Sequence, residues 1–286
     1  MLHIAAFADE IDPDINVQIA HCRLNGVTHI ELRSVDKINV LDLSPHDRQR
    51  IRSAVKDAGM GIVSIGSPIG KVAIDRPFAE HMERFKIAVD AALFFEAPLI
   101  RVFSYYPVGG EGKGPIEPHR DEVIDRFRKK VEYVASLPVT IVHENEKGIF
   151  GEKGLPCLDL MQSINSPKLR SAFDFANFVQ AKEKPLDNWK LLKPFSTHIH
   201  IKDARMSDGH VVPAGDGDGD IETILVDAVK SGYQGWLSLE PHLQVAGHSH
   251  GETGPALFKT AADALKKILD RNAIAYPGSS EQAIAR

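Results

Sequence analysis

The sequence predicts a single-domain α/β protein folded as a closed (β/α)8 TIM barrel. Three observations predict it. Short apolar runs alternate with longer amphipathic segments from end to end, about eight such units fill the 286 residues, and the last four strands each end in metal-binding side chains. The length exceeds the usual prior for one domain, yet barrels of this kind reach it with a single core. At 43% hydrophobic and 26% charged residues, the chain has the apolar material for that core. The barrel is assigned to residues 1–272. Residues 273–286, with Pro277, Gly278, Ser279 and Ser280, are expected to form a loosely packed C-terminal extension.

Strands are expected at residues 2–7, 29–33, 61–66, 99–103, 139–144, 169–174, 197–202 and 236–240, most of them rich in the Val, Ile, Leu and Phe of buried parallel strands. Helical patterning marks residues 15–25, 45–58, 78–95, 119–135, 221–231 and 254–271. Ser44 before Pro45 reads as an N-cap with Pro at the first helical position, and Gly26, Gly59 and Gly232 stand where left-handed C-caps end a helix. A doubly wound open sheet is the competing arrangement, but no G-x-G-x-x-G follows the first strand.

The formal net charge of -5 counts against a duplex nucleic-acid partner, whose phosphates are held by clustered Lys and Arg. Cys22 and Cys157, with no secretory leader before them, read as reduced thiols, and no apolar run approaches membrane length. The expectation is a cytoplasmic protein with a small-molecule partner and neither nucleic acid nor membrane.

A barrel builds its site at the C-terminal ends of its strands. Strand five ends His143-Glu144-Asn145, strand six ends Phe173-Asp174, strand seven carries His198, His200, Lys202 and Asp203, and strand eight ends Leu239-Glu240. Side chains alternate across a strand, so outward Leu237 and Leu239 send Ser238 and Glu240 inward, while outward Ile199 and Ile201 send His198, His200 and Lys202 inward. Asp174 turns inward beside outward Phe173 by the same rule. Acids and an imidazole gathered there would be costly without a shared cation. Glu144, Asp174, His200 and Glu240 are therefore the expected ligands of one divalent metal ion. Three carboxylates with one imidazole suit Mn2+ first, with Mg2+, Co2+ and Zn2+ as alternatives.

Around them, Glu31, Arg205, Lys202 and His242 are the expected substrate contacts, whereas Arg101 can equally pair with Glu31 inside the barrel. The run Asp216-Gly217-Asp218-Gly219-Asp220 fails as a calcium loop, because Ile221 stands where Gly is needed, and reads instead as the loop and N-cap of the next helix. His248 and His250 read as part of a solvated loop.

With Glu144-Asn145, Phe173-Asp174-Phe175-Ala176-Asn177, His200-Ile201-Lys202-Asp203, the loop Pro213 to Asp218 and Leu239-Glu240 in this order, the chain resembles the xylose isomerase-like superfamily of sugar phosphate isomerases and epimerases, which also holds the endonuclease IV fold. The resemblance implies that the four ligands hold the metal and that Glu144 and Glu240 are catalytic, exchanging protons with a substrate carbon from opposite faces. Family members commonly place a His three residues after the Asp ligand; Asn177 stands there and is taken as a substrate contact. Endonuclease IV relatives use additional His residues from earlier strands. Here those strands lead into Ser67-Pro68 and Ser104-Tyr105, which disfavours a DNA repair role. The expected activity is a metal-dependent isomerase or epimerase of a sugar or keto-polyol, working by proton abstraction next to a carbonyl through an enediolate. A lyase or dehydratase acting on a 3-keto sugar, 3-keto-glycoside or inosose is the main alternative. A non-catalytic sugar-binding barrel, or a subunit needing a partner, is the other. A homo-oligomer is compatible with any of them.

Overall fold

Eight parallel strands pair in sequence order and the last closes on the first. They are β1 (His3–Ala6), β2 (His29–Leu32), β3 (Gly61–Ile65), β4 (Leu99–Val102), β5 (Thr140–Glu144), β6 (Leu169–Asp174), β7 (Ser196–Ile201) and β8 (Trp236–Leu239). The computed structural model describes residues 1–246 and 251–279. Parallel neighbours need crossovers, and α1 (Ile15–Leu24), α2 (Pro45–Asp57), α3 (Phe78–Phe95), α4 (Arg120–Tyr133), α5 (Gly154–Ile164), α6 (Phe175–Gln180), α7 (Pro185–Leu192) and α8 (Ile221–Lys230) supply them, while α9 (Gly254–Arg271) follows the last strand.

Helix punctuation follows the sequence. Ser44 caps α2 by accepting from the Asp47 N–H at 3.1 Å, and Gly26, Gly59 and Gly232 take φ of 66°, 68° and 83°. The acidic run before α8 does not cap as expected: Asp220 itself sits at φ 54° and its side chain makes no capping bond. Three helices, α5, α6 and α7, fall in stretches where short length or a long apolar run blurs the period. Residues 273–279 also differ from expectation, and residues 280–286 of the expected extension lie outside the described residues. Ile274 and Tyr276 are 5% and 6% exposed, and the Leu2 N–H donates to Ala275 O at 2.8 Å, so the segment after α9 packs against the start of β1.

Alternation divides the strands into two layers. Ile30, Ile100, Ile141, Phe173, Ile199 and Leu237 point outward into one core with helix residues such as Phe85, Phe127, Trp189 and Leu265. Inside the barrel, Ala5, Val63, Leu99, Val142 and Ala172 with Trp236 form a separate apolar plug. The polar residues one pleat further along the strands therefore meet water from the mouth alone, which sets their electrostatics. Among the described residues no helix is long and apolar enough to cross a membrane.

Candidate active site

His200 stands at the centre of the mouth. Its Nδ1 lies 3.2 Å from Glu144 Oε1, 3.5 Å from Glu240 Oε2 and 4.0 Å from Asp174 Oδ2. The ladder explains the convergence: β6 and β7 pair Asp174 with His200, and the Glu240 N–H continues the ladder beyond β8 by donating to Ile201 O at 3.2 Å. Local contacts aim each acid. Asp174 Oδ1 accepts the Asn177 N–H at 2.7 Å and so caps α6, leaving Oδ2 for the mouth. Asn145 brackets the Asp174 backbone, accepting its N–H at 2.9 Å and donating to its carbonyl at 3.0 Å. Asn177 donates from Nδ2 to Asn145 O at 2.8 Å and to Glu144 Oε1 at 3.3 Å. Its contacts are thus with the site's own frame.

Three cations face these acids. Lys202 Nζ is 2.9 Å from Asp174 Oδ2 and 3.3 Å from Glu240 Oε2. Arg101 Nη1 is 3.1 Å from Glu144 Oε2 and 3.6 Å from Glu240 Oε1, a correction to the pairing with Glu31 that the sequence allowed. Arg33 Nη1 reaches Glu240 Oε1 at 3.3 Å while its Nε holds Asp9 at 2.8 Å. The guanidinium carbons of Arg33 and Arg101 lie 4.8 and 4.7 Å from the centroid of buried Phe7, whose ring fills the space between β1 and His200.

Burial opposes the charge on every one of these groups, and neighbours decide the outcome. Glu144 falls to about 2 because His200 and Arg101 outweigh its desolvation. Glu240 falls well below the usual range, drawn down against burial by Lys202, His242 and His200. Asp174 rises to about 7: burial raises it, and repulsion from Glu144 and Glu240 adds to this against the pull of Lys202. His200 rises well above its ordinary value, since Glu144 and Glu31 overcome its burial.

The residues fit a divalent cation. One donor atom from each of Glu144, Asp174, His200 and Glu240 lies within 4.8 Å of the others, and all four residues are buried. Both ring nitrogens of His200 and Asp174 Oδ2 are buried without a hydrogen-bond partner, the last having the Lys202 ammonium as its ion-pair neighbour. Buried acids, with Glu10 and Glu31 added to the three, also outnumber the three permanent cations at the mouth. These are the conditions under which a shared cation offsets the desolvation of several carboxylates.

The remaining sequence-predicted contacts divide. His242 is brought in: its Nε2 lies 3.2 Å from Glu10 Oε1 and 3.5 Å from Glu240 Oε1, and these acids raise it to about 9 against its burial. Its ring packs so tightly on Gly251 that a Cβ there would stand 1.8 Å from His242 Cδ2. Glu31 lies beneath the His200 ring, fully buried, with Oε2 at 2.7 Å from His198 Nε2 and 3.3 Å from His200 Nε2. Arg205 is not brought in; its side chain is exposed and stands 4.0 Å from Asp208. His248 and His250 lie outside the described residues.

Glu10 is the residue that sequence reasoning missed. Its carboxylate accepts the His242 N–H at 2.8 Å and the Thr253 hydroxyl at 2.6 Å, tying the first loop to the eighth. The signal in the sequence is the acid pair Asp9-Glu10 directly after the first strand. A cavity of about 670 Å3 opens there, lined by Asp9, Glu10, Arg33, Lys37, Asn39 and Gln244 among others. The His200-x-Lys202-Asp203 motif also acquires a physical reason. Asp203 accepts N–H groups from Gly215, Gly217 and Gly219 at 2.8, 3.1 and 2.9 Å, and a Cβ at Gly217 would stand 2.4 Å from its Oδ1. The carboxylate thereby folds the glycine-rich loop behind Lys202.

Fold and site together define a parallel eight-stranded barrel with an acid-and-imidazole centre at its C-terminal mouth. The chain belongs to the xylose isomerase-like TIM barrel family, whose model matches residues 19–268. It is similar to a 3-dehydroshikimate dehydratase of Bacillus anthracis, 22% identical over 185 residues; the match spans 64% of this chain and 64% of that relative's length. Among solved structures, it resembles a D-allulose 3-epimerase from Methylomonas sp. with TM-score 0.74 and 15% identity, covering 94% of this chain and 98% of that one. It also resembles a xylose isomerase-like TIM barrel protein from Mycobacterium smegmatis in complex with magnesium, with TM-score 0.72 and 16% identity, covering 96% and 98%. These structural likenesses establish the fold.

Proposed function

We propose that the chain is a divalent-cation-dependent isomerase or epimerase that moves a proton at the carbon next to a carbonyl of a sugar or keto-polyol. The observation that carries this reading is the pair Glu144 and Glu240. They come from β5 and from the end of β8, approach His200 Nδ1 at 3.2 and 3.5 Å, and share Arg101 between them. When bound by Glu144, Asp174, His200 and Glu240, the cation supplies Lewis acidity that polarises a carbonyl oxygen. Both Glu side chains are held ionised near neutral pH and are therefore competent to accept a proton. One removes it from the substrate carbon; the other takes up a proton from solvent and delivers it, and the first then returns its proton to solvent. Delivery to the opposite face of the same carbon inverts it, and delivery to the adjacent carbon exchanges aldose and ketose. Arg101 and Lys202 direct fixed positive charge at the mouth, where negative charge develops on the substrate oxygen. Asn177 holds Glu144 at 3.3 Å and limits its rotation.

A dehydratase is the second reading, favoured by the likeness to the 3-dehydroshikimate dehydratase. The first proton transfer is the same; the electron pair then expels a β-hydroxyl, which leaves as water with a proton returned from a Glu. Proton NMR in D2O with candidate ketoses and keto-polyols separates the two. Deuterium appearing at the carbon beside the carbonyl, with the skeleton intact, supports the isomerase or epimerase. A new alkene carbon with loss of oxygen supports the dehydratase. A purified chain that shows neither, before and after chelation and Mn2+ return, is a sugar-binding barrel or an incomplete subunit.

A further inference from the structure

We propose that Glu31 is a positioning residue that decides which nitrogen of His200 faces the mouth with a free lone pair; this rests on the cation reading above. The two ring nitrogens of His200 face opposite environments. Nδ1 is turned to Glu144, Glu240 and Asp174, whereas Nε2 lies 3.3 Å from Glu31 Oε2, a charge contact without hydrogen-bond alignment in this structure. An ionised carboxylate accepts hydrogen bonds and donates none, so its negative charge beside Nε2 favours the tautomer with the proton on that nitrogen. In the neutral ring the lone pair then falls on Nδ1, the nitrogen aimed at the three acids, and the carboxylate contact raises the basicity of that lone pair.

Glu31 is itself fixed in place. Its Oε1 accepts the Ser64 hydroxyl at 3.0 Å and its Oε2 lies 2.7 Å from His198 Nε2. The β2–β3 ladder slips between Ile30 and Glu31, and the slip sets Glu31 opposite Ser64. Glu31, Ser64, His198 and His200 are all 0% exposed. A side chain closed off beneath the His200 ring has no surface for a substrate hydroxyl, so its influence passes through the imidazole.

The test compares wild type with Glu31→Gln in the full chain. Chelator competition with Zn2+ or Mn2+ is expected to show affinity lower by about 10- to 100-fold in the variant. Imidazole 15N NMR of the Zn2+-loaded wild type is expected to place the His200 proton on Nε2 and none on Nδ1. Affinity within about two-fold of wild type together with a raised KM would make Glu31 a substrate contact and overturn the proposal, as would a proton on Nδ1 in the loaded wild type. If Glu31→Gln does not fold, Ser64→Ala keeps the carboxylate but removes one of its anchors; a loss of affinity of about three-fold or more supports the proposal and unchanged affinity overturns it. A wild-type chain that takes up no cation ends the metal reading instead. The cation-free spectra then judge Glu31 separately: a downfield Nε2 proton lost in Glu31→Gln supports the contact, and one that persists overturns it.

Discussion

The two halves of the barrel rim bring different groups to the cluster around His200. Strands β5 to β8 bring Glu144, Asp174, His200 and Glu240 to one point, together with Lys202. Strands β1 to β4 bring Phe7, Arg33 and Arg101, two guanidinium groups on one aromatic ring. The arginines reach across to Glu144 Oε2 and Glu240 Oε1, while Glu144 Oε1 and Glu240 Oε2 face His200. Each glutamate is thus shared between a donor half and a cationic half. Each carboxylate is neutralised by a guanidinium on one oxygen while its other oxygen faces His200, with Lys202 also 3.3 Å from that oxygen of Glu240, so a bound cation would compete with the fixed positive charges.

The largest effect should come from breaking the donor half. Glu240→Gln is expected to lower turnover by about 10^2- to 10^4-fold and to release the cation, read by steady-state assay and elemental analysis. Breaking the cationic half should look different. Arg101→Met is expected to lower turnover by about 10^2-fold and to reduce stability by about 3 kcal/mol in a denaturant melt, because it takes from buried Glu144 its guanidinium partner and from Glu240 one of several cations. Its cation affinity should be equal or tighter, since a competing positive charge has gone. If affinity collapses instead, the two halves are not separable.

Proton competition sharpens the same contrast. A carboxyl with a raised folded-state value binds its proton longer in the folded chain, so from Asp174 the stripped protein loses stability as pH rises from the ordinary 3.8 through about 7. A cation relieves that strain only once the proton has left. The rise in Tm on adding Mn2+ to chelated protein should therefore be larger at about pH 8 than at about pH 5.5. A pH-independent shift would place the cation away from Asp174. Asn177→Ala is expected to lower turnover only a few-fold, about the effect of one hydrogen bond to Glu144. Arg205→Ala, on an exposed side chain outside the cluster, should leave turnover within about two-fold.

Much of the fold and of the residue cluster at the mouth is legible in the amino-acid sequence. The eight strands lie within two residues of their sequence-derived positions, because a buried parallel strand is a short apolar run with few other readings. The meeting of Glu144, Asp174, His200 and Glu240 is legible because strand ends point into the mouth and alternation settles direction. The role of Arg101 is not, since a long side chain of known direction can still reach several acids, and it reaches Glu144 and Glu240 rather than Glu31. Arg205 shows the reverse limit: it is two residues from Asp203, yet the turn that pairs Ala204 with Val211 carries it to the surface.

By itself the sequence determined the barrel and the inward-facing residues of each strand, among them the four that meet at the mouth, since these follow from periodicities of two and 3.6 residues along a local stretch. Only the tertiary structure decided the partners: Glu10 with His242, Glu31 with both imidazoles, the arginines with the glutamates. Those pairs join residues far apart in the chain, and Coulomb interactions depend on distances of a few ångströms that appear only when the eight strands close into a ring.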